Sequence, residues 1–284
     1  MRIGGVITAM FTPFDERGRL AEDEAVGRMR HLVEHGSYGL VLAGTTGDGP
    51  TLSDEEKLRL FGLAVEEVGD RTMVIAGTGS NDTAHTVELT ERATAVGVDA
   101  VLVVTPYYNK PNRRGLSAHF RAAALATDRP LVVYNIPSRS VVDLPNDLLA
   151  ELAQLPNVAA VKQARSEDVT PIEGMDLLAG NDDMLAEVLD MGGTGGILVA
   201  SHLVGEEMRR MIEEPERRRH IASEITGLVK AVNTVAPAPA TIKSALKLLG
   251  HPVGSPRLPL VPASDEEVDV IRTALERHGL LSAV

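Results

Sequence analysis

Lys162 closes the apolar run Val158-Ala159-Ala160-Val161 and is followed at once by the polar stretch Gln163-Ala164-Arg165-Ser166. A short apolar run after Pro156-Asn157 reads as a buried parallel strand, so this lysine sits at a strand mouth rather than on a solvated face. An ammonium taken out of water gives up its proton more readily, and the neutral amine attacks carbonyl carbon. The plainer reading is a strand-end lysine whose amine snorkels back to solvent. Other residues could join the same chemistry. Gly44-Thr45-Thr46-Gly47 offers hydroxyls and backbone N–H groups beside a tight turn, a cradle for a small carboxylate, or else an ordinary glycine-bounded turn. Tyr134 interrupts an aliphatic run in a chain with four tyrosines and no tryptophan. A buried tyrosine needs a hydroxyl partner, and beside an amine it can relay protons. Arg139, in Pro137-Ser138-Arg139, suits two-pronged capture of a carboxylate, although a surface loop charge would look the same.

These residues need a frame that brings them together. Short apolar runs recur at Val6–Met10, Leu40–Ala43, Met73–Ala76, Ala100–Val104, Leu131–Tyr134, Ala159–Val161, Leu177–Ala179 and Ile197–Ala200. Their spacing averages roughly 27 residues, the length of one strand, one helix and two loops. Helix starts fall between them: the capping box Ser53-Asp54-Glu55-Glu56, Asn81-Asp82, and Pro145 at a first helical position. Eight such units predict a (β/α)8 TIM barrel over residues 1–214, whose active site is built from the carboxyl ends of the strands. Thr45-Thr46, Tyr107-Tyr108, Tyr134 with Arg139, and Lys162 all occupy such ends. A doubly wound sheet competes, but no Gly-x-Gly-x-x-Gly follows the first strand. Helical stretches near 216–234, 240–249 and 265–278 predict a C-terminal helical region, 215–284, packed on the barrel. Between Lys162 and Leu177 there is room for only about nine helical residues, interrupted by Pro171, so a short sixth helix is expected.

Composition narrows the functional classes. Of 284 residues 44% are hydrophobic, and the net charge is −12. The basic cluster Arg217-Arg218-Arg219-His220 is offset by Glu213, Glu214 and Glu216, so a nucleic-acid surface is not expected. Absence of cysteine excludes disulfides, thiolate metal sites and a cysteine nucleophile. The opening residues carry Arg2 before an apolar stretch, but Pro13, Asp15 and Glu16 interrupt it, and no run is long enough to span a membrane. Cytoplasm is the expectation. Gly192-Gly193-Thr194-Gly195-Gly196 precedes the last strand and so lies at the wrong end of a barrel for a phosphate loop; capping and a close turn account for it. No two histidines have metal-ligand spacing, and Asp182-Asp183 is explained by helix N-capping.

Taken together, Gly44-Thr45-Thr46-Gly47-Asp48, Ala76-Gly77-Thr78-Gly79, Val104-Thr105-Pro106-Tyr107-Tyr108, Tyr134-Asn135-Ile136-Pro137-Ser138-Arg139 and Val161-Lys162-Gln163 resemble the dihydrodipicolinate synthase / N-acetylneuraminate lyase family of pyruvate-dependent class I aldolases, over essentially the whole chain. The resemblance implies that Lys162 forms a Schiff base with pyruvate and that Tyr134, Thr45 and a neighbouring subunit's Tyr108 relay protons. It also implies that Thr46 holds the pyruvate carboxylate, with Ile197 and Gly180 beside it. No cofactor or metal is implied, because the protonated imine is its own electron sink. A homo-oligomer, a dimer of dimers, is expected from the shared tyrosine.

Arg139 and the doubled tyrosine match the branch that condenses pyruvate with aspartate semialdehyde, toward diaminopimelate and lysine. The alternatives are aldolases of 2-keto-3-deoxy sugar acids or sialic acid, a metal-dependent lyase using Asp182 or Asp183, and a non-catalytic homologue. Four departures stand out: Asp48 replaces Glu near the expected pyruvate cradle, Gln163 replaces Glu, Pro50 follows Gly49, and helix 6 is short. In lysine-inhibited relatives an acid on the helix after strand 3 receives the inhibitor's amine. Here that position is His85, and two histidine positions on helix 2 are Asp54 and Lys57, so weak or absent inhibition by lysine is expected.

Overall fold

Eight parallel strands close on themselves in chain order, β1 pairing with both β2 and β8, in a computed structural model that describes residues 2–282. The elements run β1 (Gly5–Ala9), α1 (Glu22–Glu34), β2 (Gly39–Leu42), α2 (Asp54–Val68), β3 (Met73–Gly77), α3 (Thr83–Val96), β4 (Ala100–Val104) and α4 (Arg113–Leu125). They continue through β5 (Leu131–Asn135), α5 (Pro137–Ser140), α6 (Asn146–Leu152), β6 (Val158–Gln163), β7 (Asp176–Ala179), α7 (Leu185–Asp190), β8 (Gly195–Leu198) and α8 (Ser201–Glu213). Three further helices follow, α9 (Arg218–Thr234), α10 (Ala238–Leu248) and α11 (Asp265–His278). α9 packs on α8, and α11 packs on α9 and α10.

Strand parity builds two cores from one set of strands, because successive side chains point to opposite faces. Ile7, Val41, Ile75, Leu102, Val132, Ala160, Leu178 and Ile197 fill the barrel interior. The alternate row, Val6, Leu40, Val74, Val101, Val133, Val161 and Leu177 among others, packs beneath the helices. Lys162 therefore shares the inward row with Ala160, and Tyr134 shares it with Val132. Gln163 and Asn135 fall on the outward row.

The helix starts obey their local chemistry. Ser53 and Glu56 form the reciprocal capping box of α2, and Asp82 accepts the Ala84 N–H at the head of α3. Pro145 is the residue before α6 rather than its first helical one. β8 begins two residues earlier than the apolar run suggests and includes Gly195 and Gly196, whose lack of side chains let them pair with Gly5 and Val6 of β1. The expected short sixth helix is absent. Residues 164–175 run irregularly from β6 to β7, with one bridge between Ile172 and Met175. Pro171 removes a helical donor there. Arg165 also turns back to hydrogen-bond the Asp168 carbonyl and the Asn146 side chain, drawing the chain into a loop.

Candidate active site

Register sets the central pair. Tyr134 on β5 lies directly opposite Lys162 on β6, and the Lys162 Nζ stands 4.1 Å from the centre of the Tyr134 ring. Both side chains are buried, at 6% and 5% exposure, and both line a cavity of about 570 Å³ at the carboxyl end of the barrel. Thr105, the residue after β4, pins Tyr134: its backbone N–H and its hydroxyl each donate to the Tyr134 carbonyl at 2.9 Å. Among the described residues the Tyr134 hydroxyl has no hydrogen-bond partner, so it is available to whatever occupies the cavity.

The loop after β2 brings Thr45 and Thr46 to the same cavity. That loop is tight: Ala43 takes a left-handed conformation, and a Cβ on Gly49 would stand 2.2 Å from the Ala43 carbonyl oxygen. Only glycine fits there. Arg139, on α5, lines the cavity too, exposed, with no ion pair to its guanidinium among the described residues. Gly180 belongs to the wall as well; a side chain there would strike the Gln163 carbonyl and Ala164. Ile197 is fully buried within the barrel interior, and the wall at that strand is Val199. Tyr108 points away from its own cavity, 87% exposed and with φ of 72°.

A second cavity of about 490 Å³ adjoins the first, sharing Thr45, Tyr134, Ile136 and Arg139 with it. Tyr107, Asp54, Lys57 and His85 line it. The His85 Nε2 lies 2.8 Å from the Asp54 carboxylate, and the Lys57 Nζ lies 3.4 Å from it. Hydrogen bonds from His85 and the nearby Lys57 charge hold the Asp54 carboxyl below the ordinary range despite its partial burial.

Two expectations need correcting. Asp48 does not face the carboxylate cradle. It is fully buried against Lys243 of α10 at 3.0 Å, and the same Lys243 ammonium lies 4.4 Å from the Phe14 ring centre. Asp182 does not cap its own helical turn; its Oδ1 accepts the N–H groups of Val199 and Ala200 at the head of α8, and its Oδ2 accepts Asn233 of α9. Burial pushes its carboxyl up, against the pull of those donors and of the Lys162 charge. With both oxygens so engaged, Asp182 is a clamp between strand mouths and not a metal ligand. Among the described residues no group of three His, Asp or Glu side chains could hold a metal ion. Gln163, finally, faces outward and accepts a hydrogen bond from Asn135, which also donates to Asp143.

Sequence reading missed the wall supplied by α9, where Thr226, Lys230 and Asn233 line the main cavity. Their polarity is visible in the sequence. Which side of a C-terminal helix would turn toward a barrel mouth is not.

A closed parallel barrel with a buried lysine at the end of its sixth strand, a tyrosine against the amine and hydroxyls opposite defines a lyase of the class I aldolase type. The family model described as dihydrodipicolinate synthetase family matches residues 2–278. The 4-hydroxy-tetrahydrodipicolinate synthase of Listeria monocytogenes is 43% identical over 290 residues, covering 97% of this chain and 99% of its own. A dihydrodipicolinate synthase structure from Cyanidioschyzon merolae with lysine bound superposes with a TM-score of 0.93 at 37% identity, covering 98% of this chain and 99% of that one. One from Acinetobacter baumannii complexed with pyruvate gives 0.93 at 32% identity, covering 98% and 100%. The chain belongs to the dihydrodipicolinate synthetase family. Among the described residues no helix is long and apolar enough to cross a membrane.

Proposed function

We propose that this chain acts as a 4-hydroxy-tetrahydrodipicolinate synthase, condensing pyruvate with aspartate semialdehyde in the cytoplasm. The observation that carries the reading is the buried Lys162 amine, 4.1 Å from the Tyr134 ring, in one cavity with Thr45, Thr46 and an unpaired Arg139. The Lys162 amine attacks C2 of pyruvate, and loss of water leaves an iminium. C3 then gives up a proton, and the electron pair delocalises onto the iminium nitrogen, so neither metal nor cofactor is required. The enamine carbon attacks the aldehyde of the second substrate, and the resulting alkoxide takes a proton. The substrate's own amine then adds to the imine carbon and expels Lys162, closing the ring.

Tyr134 and Thr45 are assigned the proton transfers, Thr46 with Gly180 and the Ile197 backbone the pyruvate end, and Arg139 the semialdehyde carboxylate. The nearly full exposure of Tyr108 supports a homo-oligomer, a dimer of dimers, in which each subunit lends this side chain to its neighbour's relay.

Borohydride reduction in the presence of pyruvate, followed by peptide mass spectrometry, tests the reading. A reduced three-carbon adduct on Lys162, with loss of activity, is expected. Labelling of another lysine, or of none, refutes it. An acceptor screen then separates aspartate semialdehyde from sugar aldehydes.

A further inference from the structure

Away from both cavities, Arg28 of α1 is buried at 6% exposure with no ion pair among the described residues, and its Nη1 has no hydrogen-bond partner. The guanidinium lines a separate cavity of about 250 Å³, together with Phe11, His31 of α1, and His251 in the segment after α10. The other titratable groups on its wall are His31, His251 and Glu24. Burial holds Arg28 down at about 10, with no carboxylate offsetting it. His31 is pushed down to about 4, first by burial and then by Arg28, His35 and His251. His251 is lowered by burial and by Arg28. Behind them, the fully buried His202 has its ring fixed between the Val199 carbonyl and the Phe11 N–H. The one acid on this cavity's rim, Glu24, is exposed and makes no bond to Arg28.

A buried cation without a counter-ion is costly, and a buried donor without an acceptor calls for a physical reason. The Phe11 ring, 5.9 Å from the guanidinium carbon, offers a face to the cation but no acceptor for the Nη1 donor. We infer that the Arg28 cavity is a binding site for a small oxyanion, held by the planar guanidinium fork and by ring N–H groups of His31 and His251. A fork of parallel N–H donors matches two oxygens of one anion, which favours phosphate, sulfate or a carboxylate over a spherical halide. The site shares no lining residue with either cavity of the active site and does not depend on the reaction proposed there.

Titrating inorganic phosphate, and separately acetate, into the full-length protein while following the Cε1–H resonances of His31 and His251 tests the inference. Saturable shifts of both rings on a millimolar or tighter scale, with at least one of the anions, are expected. They should be accompanied by an anion-dependent rise in melting temperature, since a ligand of the folded state alone stabilises it. Arg28→Leu should abolish both responses and melt no lower than the wild type in the absence of anion. Saturation by phosphate alone identifies a tetrahedral site and by acetate alone a carboxylate site; either supports the inference. If Arg28→Leu does not fold, the pair His31→Gln/His251→Gln takes its place, with a weakened anion-dependent rise in melting temperature expected. Linear, unsaturated shifts with both anions, or a response unchanged in the variants, overturn the inference.

Discussion

Replacing Lys243 by methionine removes the ammonium in direct contact with Asp48 in the interior. Methionine keeps most of the volume and can still pack on Phe14, so the perturbation is chiefly electrostatic. Burial pushes Asp48 up and Lys243 down, in spite of their 3.0 Å contact. Desolvation therefore outweighs attraction, and the pair as a whole is not a large source of stability. Breaking it is a different matter. Breaking a buried pair on one side only costs about 3–5 kcal/mol. For a chain of this size that lowers the melting temperature by about 6–20 °C. Asp48→Asn should behave similarly, leaving the Lys243 ammonium with only the Ser255 carbonyl at 3.3 Å. Asparagine also tolerates the left-handed backbone at this position, φ 56°, so strain does not confuse the comparison. Asp48→Asn/Lys243→Met should recover most of the loss.

The sign of the pH dependence is fixed as well. A carboxyl raised in the folded state contributes most favourably below its unfolded value, and that contribution is lost as pH rises through the folded value. Lys243→Met removes the stronger of the two charges that pull Asp48 down, the weaker being Arg257. The deficit seen at pH 7 should therefore shrink toward the ordinary aspartate value of about 4. Circular dichroism melts of the four proteins at both pH values provide the measurement, with pyruvate adduct formation as a second readout, because Asp48 closes the same turn as Thr45 and Thr46. A Lys243→Met variant within about 1 kcal/mol of wild type, or a double variant no better than the worse single, would refute the reasoning.

Arg139→Ala should lower kcat/KM for aspartate semialdehyde by about 10–150-fold, the equivalent of one charge-assisted contact of about 1.5–3 kcal/mol. Borohydride trapping of pyruvate on Lys162 should be little changed, and equal damage to both half-reactions would make Arg139 structural. Mixed Lys162→Ala and Tyr108→Phe protomers should regain activity that neither has alone, checked by assay after subunit exchange; a fully active monomer would contradict the shared tyrosine. Lysine should inhibit weakly, with half-inhibition above about a millimolar in a direct titration. The carboxylate in the second cavity, Asp54, is already engaged by His85 and Lys57, and a charged amine without a free partner loses on the order of 2–5 kcal/mol.

Much of the barrel was legible because its strands are buried on both faces and announce themselves as apolar runs. Which of the strand-end residues turn inward was not legible: the strands turn Lys162 and Tyr134 to the interior and their neighbours Gln163 and Asn135 outward. The expected sixth helix does not form, because Pro171 and the Arg165 contacts hold a gap of helical length as a loop. Lys243 stayed invisible for a different reason. Its partner lies far away in sequence, and no local pattern marks a lysine on a C-terminal helix as buried. The same holds for Asn233, whose bond to Asp182 depends on how α9 settles over the barrel.

The departures from the family's usual residues gain a new meaning once their directions are known. Asp48 and Gln163 suggest a changed substrate only if they face the substrate, and neither does. Asp48 fastens the Thr45-Thr46 loop to α10, and Gln163 joins Asn135 and Asp143 on the outward side of the strands. Asp48 and Lys243 together tie the C-terminal helices to the barrel. Acceptor choice is then left to the groups that do line the cavity. Among the described residues the only arginine lining it is Arg139, and Thr226, Lys230 and Asn233 of α9 line it as well. A carboxylate on the acceptor satisfies Arg139; a neutral polyol would leave its guanidinium unpaired, and that difference favours the semialdehyde.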